Sequence, residues 1–345
     1  MLIDLSAWAG TAADPFLIVL LALAIDAAVG DPQWLYRAVP HPVALLGRLI
    51  AWGEARLNDA RDDVHGRFRA GLALTAAITL SAAAVGWLLS ALLREVAVGW
   101  LIEAALASSL LAGRSLHGHV LAVERGLAQD LEQGGLEAGR AAVSEIVGRD
   151  PESLDEPGVR RAAVESLAEN SSDGLVAPVF WYAVAGLFGL GLAGLCAYKA
   201  VNTLDSMIGH RSVRFAAFGR AAARLDDWVN WAPARLAGAL IAAAAFALPG
   251  ADGRRAWRTM LRDARLHRSP NAGWQEAAFA GALDLALAGP RRYRDEVVED
   301  AWMGDGRRSL TQDDLRAALK LYLVAWGLLA LLLVALCGLS LVNNL

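Results

Sequence analysis

Residues 319–342 read "LKLYLVAWGLLALLLVALCGLSLV", and the only charge, Lys320, stands at the start. A helix needs about 20 mostly apolar residues to cross a bilayer core. This run exceeds that, and so does "GLALTAAITLSAAAVGWLLSALL" at 71–93. The two runs set the expected fold class: an all-α, polytopic integral membrane protein. Shorter apolar blocks at about 15–30, 96–113, 175–198 and 235–249 bring the expected membrane segments to about four to six. Only "REV" separates 71–93 from 96–113, which suggests a helical hairpin. The block 175–198 contains "GLFGLGLAGL", whose glycines permit close packing or a break. The block 235–249 is short and ends in "LPG", which suits a re-entrant segment as well as a span.

The arginine-rich stretches 31–70, 114–174, 199–235 and 251–320 carry the orientation signal. The positive-inside rule puts them in the cytoplasm. Four full crossings plus two re-entrant segments, with both termini outside, satisfy that rule; five or six plain spans compete closely. The expectation is one membrane domain over 1–345, with a helical cytoplasmic insertion at about 114–174, in the cytoplasmic membrane of a bacterium.

The chain is 56% hydrophobic with a net charge of −4, so no broad basic surface for nucleic acid is expected. Two cysteines, Cys196 and Cys337, both in apolar runs, argue against a disulfide framework or a cysteine-rich zinc site. The opening "MLIDLSAWAG" lacks a basic n-region, which argues against a cleaved signal peptide. Lys199 and Lys320 are the only lysines among 32 basic residues. Asp26 and Glu103 fall inside apolar blocks, where a carboxylate faces protein or a cavity.

Five polar stretches interrupt this apolar frame. "GVRRAAVESLAE", 158–169, has helical spacing, with Arg161, Glu165 and Glu169 on one face as an ion-pair stripe. "ENSSDG" then reads as a break before a helix near "APVFW". Ser172 or Asp173 could cap that helix, or Glu169 and Asp173 could hold Mg²⁺. In "YKAVNTLDSMIGHR", 198–211, Lys199, Asn202, Thr203 and Ser206 form a polar stripe with Asp205 at its edge. Lys199 there suits a phosphate. In "ARLDDWVNWAPARL", 223–236, Asp226, Asp227 and Asn230 offer metal-binding oxygens, Trp228 and Trp231 suit an interface or a flat ligand, and Pro233 should kink or end the helix. "HRSPNAGWQEAAFAGAL", 267–283, opens with a Ser269–Pro270 helix start and leaves Asn271, Gln275 and Glu276 unexplained by capping. "GDPQWLYRAVPHPV", 30–43, carries turn signatures around Asp31 and His41. Neither of the standard glycine-rich phosphate loops is present.

Taken in order, these stretches resemble adenosylcobinamide-phosphate synthase, the CobD/CbiB membrane enzyme family of cobalamin biosynthesis. The likeness runs from about Asp26 to about Asp305. It departs at His210, where the family pattern has a tyrosine. The resemblance implies ATP-dependent amide formation between adenosylcobyric acid and (R)-1-aminopropan-2-yl phosphate, giving adenosylcobinamide phosphate. It implies ATP and a corrinoid as substrates, Mg²⁺, a bilayer around the chain and other cobalamin-assembly membrane enzymes as neighbours; the oligomeric state stays open.

Within that reaction, Glu169, Asp173 and Asp205 are the catalytic candidates. Glu165, Glu169, Asp226 and Asp227 are the metal candidates. Asp31, His41, Asn170, Lys199, Asn202, Ser206, Arg211, Asn230, Arg235, Asn271, Trp274 and Glu276 are the candidates for contacting substrate or phosphate. Two other readings stay open. The aspartate-rich stretches also suit an intramembrane Mg²⁺-dependent prenyl- or phosphotransferase. Asp26, Glu103 and the interrupted helices also suit a corrinoid or cation transporter.

Overall fold

The computed structural model describes residues 14–343 apart from 62, 130–133, 149, 211 and 294–295. The described residues form fifteen α-helices: α1 Pro15–Ala28, α2 Gln33–Ala38, α3 Pro42–Leu57, α4 Val64–Arg94, α5 Gly99–Ser108, α6 Gly113–Leu127, α7 Gly135–Ser144, α8 Glu156–Ser171, α9 Ala177–Gly186, α10 Gly191–Ile208, α11 Arg220–Val229, α12 Trp231–Ala247, α13 Gly253–Asp263, α14 Ala272–Leu283 and α15 Gln312–Asn343. Two short antiparallel pairs precede α15: β1 (Leu287–Ala288) with β4 (Trp302–Met303), and β2 (Arg291–Tyr293) with β3 (Glu296–Val298). The all-α expectation holds.

Two helices, α4 and α15, are each long and apolar enough to cross a membrane; α11 and α12 make a third only if taken together as one bent span. Both long helices leave most of their apolar surface open, including Leu80, Val85, Leu88 and Leu92 on α4 and Leu331, Val334, Leu339 and Val342 on α15. Apolar surface on that scale needs lipid or a partner to cover it.

The other apolar blocks are shorter helices, each with a local reason. The block expected at 96–113 yields only the ten-residue α5. The Ser108 and Ser109 hydroxyls donate to the carbonyls of Ala105 and Leu106 at 2.8 and 2.7 Å, a local alternative to helix continuation. The block 175–198 breaks between α9 and α10, where Gly189 adopts φ +72° and its carbonyl accepts from Arg94 Nη2 at 2.6 Å. The break anticipated from the glycines is present. The interruption expected near Pro233 is present: α11 ends at Val229, the residue whose carbonyl an N–H at 233 would have served, and the pair α11–α12 is bent there. Pro233 occupies the first turn of α12, where a missing N–H costs nothing.

By contacts the described chain divides into two compact units. The first comprises the chain up to Ala112, Ala177–Val229 and the end from Leu332; the second comprises Gly113–Val176 and Asn230–Leu331. Each draws on separated stretches of sequence.

In the first unit, α10 packs on α3, α4, α9 and α11. Ile50, Leu74, Leu204, Ile208, Phe218 and Ala222 form one cluster beneath it. Close approach of α4 and α10 depends on Gly86, since a Cβ there would lie 2.6 Å from the carbonyl oxygen of Leu192. Glu103 is buried and accepts from Tyr182 OH at 2.7 Å and Ser90 Oγ at 2.9 Å. The carboxylate expected to face protein does so, with two donors.

In the second unit, α14 packs on α8, α12 and α13, and α6 packs on α7 and α8. α15 begins with a reciprocal cap. Thr311 N donates to Asp314 Oδ2 at 2.7 Å, and Asp314 N reaches Thr311 Oγ1 at 3.4 Å. Arg307 pairs with Asp314 across both carboxylate oxygens.

"ENSSDG" does not break the chain's helical course. α8 runs to Ser171, residues Ser172–Val176 form a π-helical turn, and α9 follows directly. The capping reading of Ser172 and Asp173 is therefore corrected, because no new helix start exists there for them to cap. A π turn inserts an extra residue into a helix and is frequent at functional sites.

Candidate functional site

In the first unit, Lys199, Asn202 and Asp205 descend the polar half of α10. Thr203 Oγ1 donates to Lys199 O at 2.7 Å, and Ser206 Oγ donates to Asn202 O at 2.9 Å. The two hydroxyls of the stripe thus spend their protons on their own helix. Asp205 is half-buried, and burial, then the charge of Asp227, pushes its carboxyl upward, with His210 acting against them. Asp227 is exposed and Asp226 half-buried on α11. Gly209 makes room for this arrangement: a side chain at 209 would collide with Asp205 Oδ1. Asn230 does not continue the α11 face, because α11 ends at Val229 and Asn230 caps α12 in the second unit. Arg211 lies outside the described residues.

The first unit also holds an open cleft of about 420 Å³ lined by Asp31, His41, Val43, Ala44, Ser109, Leu110, Leu111, Ala112 and Lys199. Two turn signatures thus meet a helical lysine far along the chain. His41 caps α3, its Nδ1 accepting from Val43 N at 3.2 Å. Its Nε2 lies 3.4 Å from Asp31 Oδ1. Tyr36 lies against the imidazole with ring centroids 4.5 Å apart. Burial and then the Asp31 charge push the Tyr36 phenol upward, and its hydrogen bond with Ser109 opposes them.

In the second unit, the π turn faces the start of α14. With its amide oriented to match its neighbours, Gln275 accepts from Ser172 Oγ at 3.0 Å and donates to Asn271 O and Ala272 O. Ser172, Asn271, Gln275 and Glu276 are all buried. Glu276 Oε1 lies 3.6 Å from His267 Nε2. Ser269 Oγ accepts from the N–H groups of Asn271 and Ala272 at 3.2 Å each, but α14 starts at Ala272 with Asn271 at its N-cap, so Ser269 and Pro270 stand in the turn before the helix and not at its cap and first residue as expected. Arg235 sits between two indoles, 4.1 Å from the Trp231 ring and 4.5 Å from the Trp274 ring. Asn170 Nδ2 donates to Ser166 O and Oγ at 2.9 and 3.2 Å. Glu169 is exposed and Asp173 half-exposed.

Glu165 departs from the solvated stripe expected on α8. It is buried, lies 3.8 Å from Arg161, and accepts from Ala288 N at 2.8 Å, where the backbone turns through φ +57°. That engagement braces β1 on α8. Trp302, over which Arg161 and Arg308 lie at 5.4 and 4.5 Å, completes the brace.

The structure therefore brings Asp31, His41 and Lys199 to the lining of one cleft, packs α10, which carries Asp205, on α11, which carries Asp227, and gathers Asn271 and Glu276 in the interior at the start of α14. Tyr36 and Ser109 were not anticipated; an isolated tyrosine and a serine inside an apolar run carry no sequence signal. Among the described residues, no three His, Cys, Asp or Glu side chains are gathered as a metal cage. Mg²⁺ carried on substrate phosphates needs only one or two protein carboxylates. Asp205 on α10 and Asp227 on α11 are carboxylates of that kind, on helices that pack together, and the charge of Asp227 is felt at Asp205.

A family profile described as "CobD/Cbib protein" matches residues 19–322. The chain is 48% identical to "Cobalamin biosynthesis protein CobD" of Brucella anthropi over 322 residues, 92% of this chain and 96% of that one. It is 50% identical to the protein of the same name from a Sinorhizobium species, over 91% of this chain and 95% of that one. It is 46% identical to the Rhodobacter capsulatus protein of that name, over 88% and 92%. No solved structure matches. With a profile spanning most of the chain and relatives near one-half identical along nearly their full length, this protein belongs to the CobD/Cbib family.

Proposed function

We propose that this protein is a cobalamin-biosynthesis enzyme that joins adenosylcobyric acid to (R)-1-aminopropan-2-yl phosphate at the expense of ATP. The relatives' printed names support the pathway, and the Asp205–Asp227 pair carries the chemistry. Amide formation from a carboxylate needs a better leaving group than oxide. A carboxylate oxygen attacks the γ-phosphorus of ATP, and ADP leaves. The amine, having lost a proton, then attacks the acyl carbon, and phosphate leaves with that oxygen.

Asp205 and Asp227 would hold the Mg²⁺ that accompanies ATP, whose chemistry is to neutralise charge on the phosphoryl oxygens. Burial, and then the charge of Asp227, push Asp205 upward, and a divalent cation would relieve the second of these. Lys199, on the same helix, supplies a point charge for a phosphate.

The reading includes a setting. The apolar faces of α4 and α15 associate with the membrane. The arginine-rich segments place the polar stretches on the cytoplasmic side of a multi-pass protein in the inner membrane.

The test is purified protein in detergent with both substrates, ATP and Mg²⁺, followed by mass spectrometry. Adenosylcobinamide phosphate should accumulate with ADP, and omission of ATP or Mg²⁺ should stop it. Absence of that product under all conditions would reject the reading.

A further inference from the structure

α13 carries more arginine than its packing uses. Its inner face, with Ala256, Thr259, Met260 and Asp263, is buried, and the helix packs on α12 and α14 within the second unit. Two arginines hold that seat. Arg255 Nη1 lies 2.8 Å from Asp284 Oδ1, and its Nε donates to Gly281 O at 2.7 Å. Arg262 pairs with Asp263 and Asp305 at 2.6 and 3.1 Å. Asp252, the acid at the start of the helix, is engaged as its N-cap, accepting from Arg255 N at 2.9 Å.

Arg254, Arg258 and Arg265 take no part in these ion pairs. They are exposed, and their spacing along the chain puts them in one outward row. Arg258 Nε donates to Arg254 O at 3.3 Å, within the row. Beside it stand Trp257 and Leu261, one turn apart, and Leu266 in the short 3₁₀ turn that follows; they leave 44%, 55% and 58% of their surface open. The apolar edge continues onto the end of α12, where Phe246 is exposed and a side chain at Gly253 would collide with its ring.

A row of cations next to an apolar edge that includes an indole is the pattern of a helix lying in a bilayer interface. α13 is already folded against α12 and α14, so contact with lipid carries no cost of forming the helix.

We propose that the outer face of α13 is a docking surface for anionic phospholipid, with Arg254, Arg258 and Arg265 on the headgroup phosphates and Trp257 and Leu261 seated among the upper acyl carbons. Charge complementarity selects this occupant. A zwitterionic lipid covers the apolar edge but brings a cation with each phosphate, and a soluble anion answers the arginines but leaves Trp257 and Leu261 in water. The inference rests on the membrane setting of the proposed function and not on its reaction.

The test places the unmodified protein in nanodiscs of phosphatidylcholine alone and of phosphatidylcholine mixed with phosphatidylglycerol. Phenylglyoxal modification of each arginine is followed by peptide mass spectrometry. Arg254, Arg258 and Arg265 should react at least about 5-fold more slowly in the mixed discs, the factor expected for a basic residue held near an anionic surface. Added salt should narrow the difference. Free glycerol 3-phosphate added to the neutral discs should leave the rates unchanged. Trp257→Ser combined with Leu261→Ser should lose most of the protection in mixed discs with little change in melting temperature, since both side chains are exposed.

Equal rates in the two discs would overturn the proposal on the unmodified protein alone. So would equal protection by glycerol 3-phosphate in neutral discs, which would assign the face to a free anion. Protection in neutral discs that grows with the number of protein chains per disc would assign it to a second copy and overturn it too. Full protection in the double variant would overturn the seating of the apolar edge. Protection by phosphatidylglycerol, but no amide product in the full reaction, would sink the proposed function and leave this surface standing. Amide product with equal rates in the two discs would do the reverse.

Discussion

Buried and half-buried acids are treated in two ways by this fold, and the contrast is sharpest between the second unit's acids and Asp205 of the first. In the second unit Glu165 receives the Ala288 N–H, Glu124 accepts from Gln312 and Arg316, and Asp314 accepts from Thr311 and Arg307. These groups are buried and spend their charge on holding segments together. In the first unit Glu54 does the same work, but Asp205 does not. Burial and a neighbouring carboxylate push it upward, and a glycine at 209 preserves its space. A buried acid with donors around it stabilises the fold; an acid whose carboxyl is pushed upward by burial and by a second carboxylate costs stability and suits a ligand. The difference separates structural from functional carboxylates on physical grounds.

Substitutions can break this contrast. Asp205→Asn should lower kcat by about 10²–10³-fold and raise the Mg²⁺ concentration needed for half-maximal rate. The melting temperature should hold or rise, because a repulsion is removed. A large loss of melting temperature would place Asp205 with the structural acids. Gly209→Ala, which drives a methyl group against Asp205 Oδ1, should cost up to about 10²-fold in rate through displacement alone. An unchanged rate would show that the position of Asp205 is unimportant.

The structural acids should respond in the opposite sense. Glu165→Leu leaves the buried Ala288 N–H without its acceptor and should destabilise by about 1–3 kcal/mol, whereas Glu165→Gln keeps an acceptor oxygen and should cost less. Denaturant unfolding in detergent checks both. Loss of activity in Glu165→Gln at full stability would return Glu165 to the metal-binding role expected from sequence.

Glu54 gives the smallest effect. Hydrogen bonding from Arg214 holds its carboxyl below the usual range, with burial opposing and Asn58 assisting. A depressed folded-state pKa stabilises above the unfolded value, and that contribution is lost as pH falls through the folded one. Arg214 is largely exposed, so the contribution at neutral pH should be only about 1 kcal/mol. Melting temperature should fall on acidification, and Glu54→Gln should flatten that decline. An identical decline in the variant would assign acid sensitivity to other groups.

The helical membrane class was legible because lipid imposes composition: α4 and α15 are apolar over a length no soluble helix requires. Interruptions were partly legible. Glycines announced the break at 189, but nothing in "ENSSDG" distinguishes a π turn from a helix end, since one extra residue per turn alters hydrogen-bond register without altering composition. Likewise, Ser108 and Ser109 shorten α5 through side-chain bonds that hydropathy does not register. Individual site residues were legible as motif members. Their grouping was not: packing of α3 and α10 in one unit, absent from local pattern, is what accompanies the meeting of Asp31, His41 and Lys199.

The central claim is that a carboxylate is activated by phosphoryl transfer before the amine attacks. The most direct measurement labels the reacting carboxyl of adenosylcobyric acid with 18O and analyses the products by mass spectrometry. The account predicts one 18O atom in the released inorganic phosphate for each amide formed. Amide formation with unlabelled phosphate, or with the label in AMP, would contradict it.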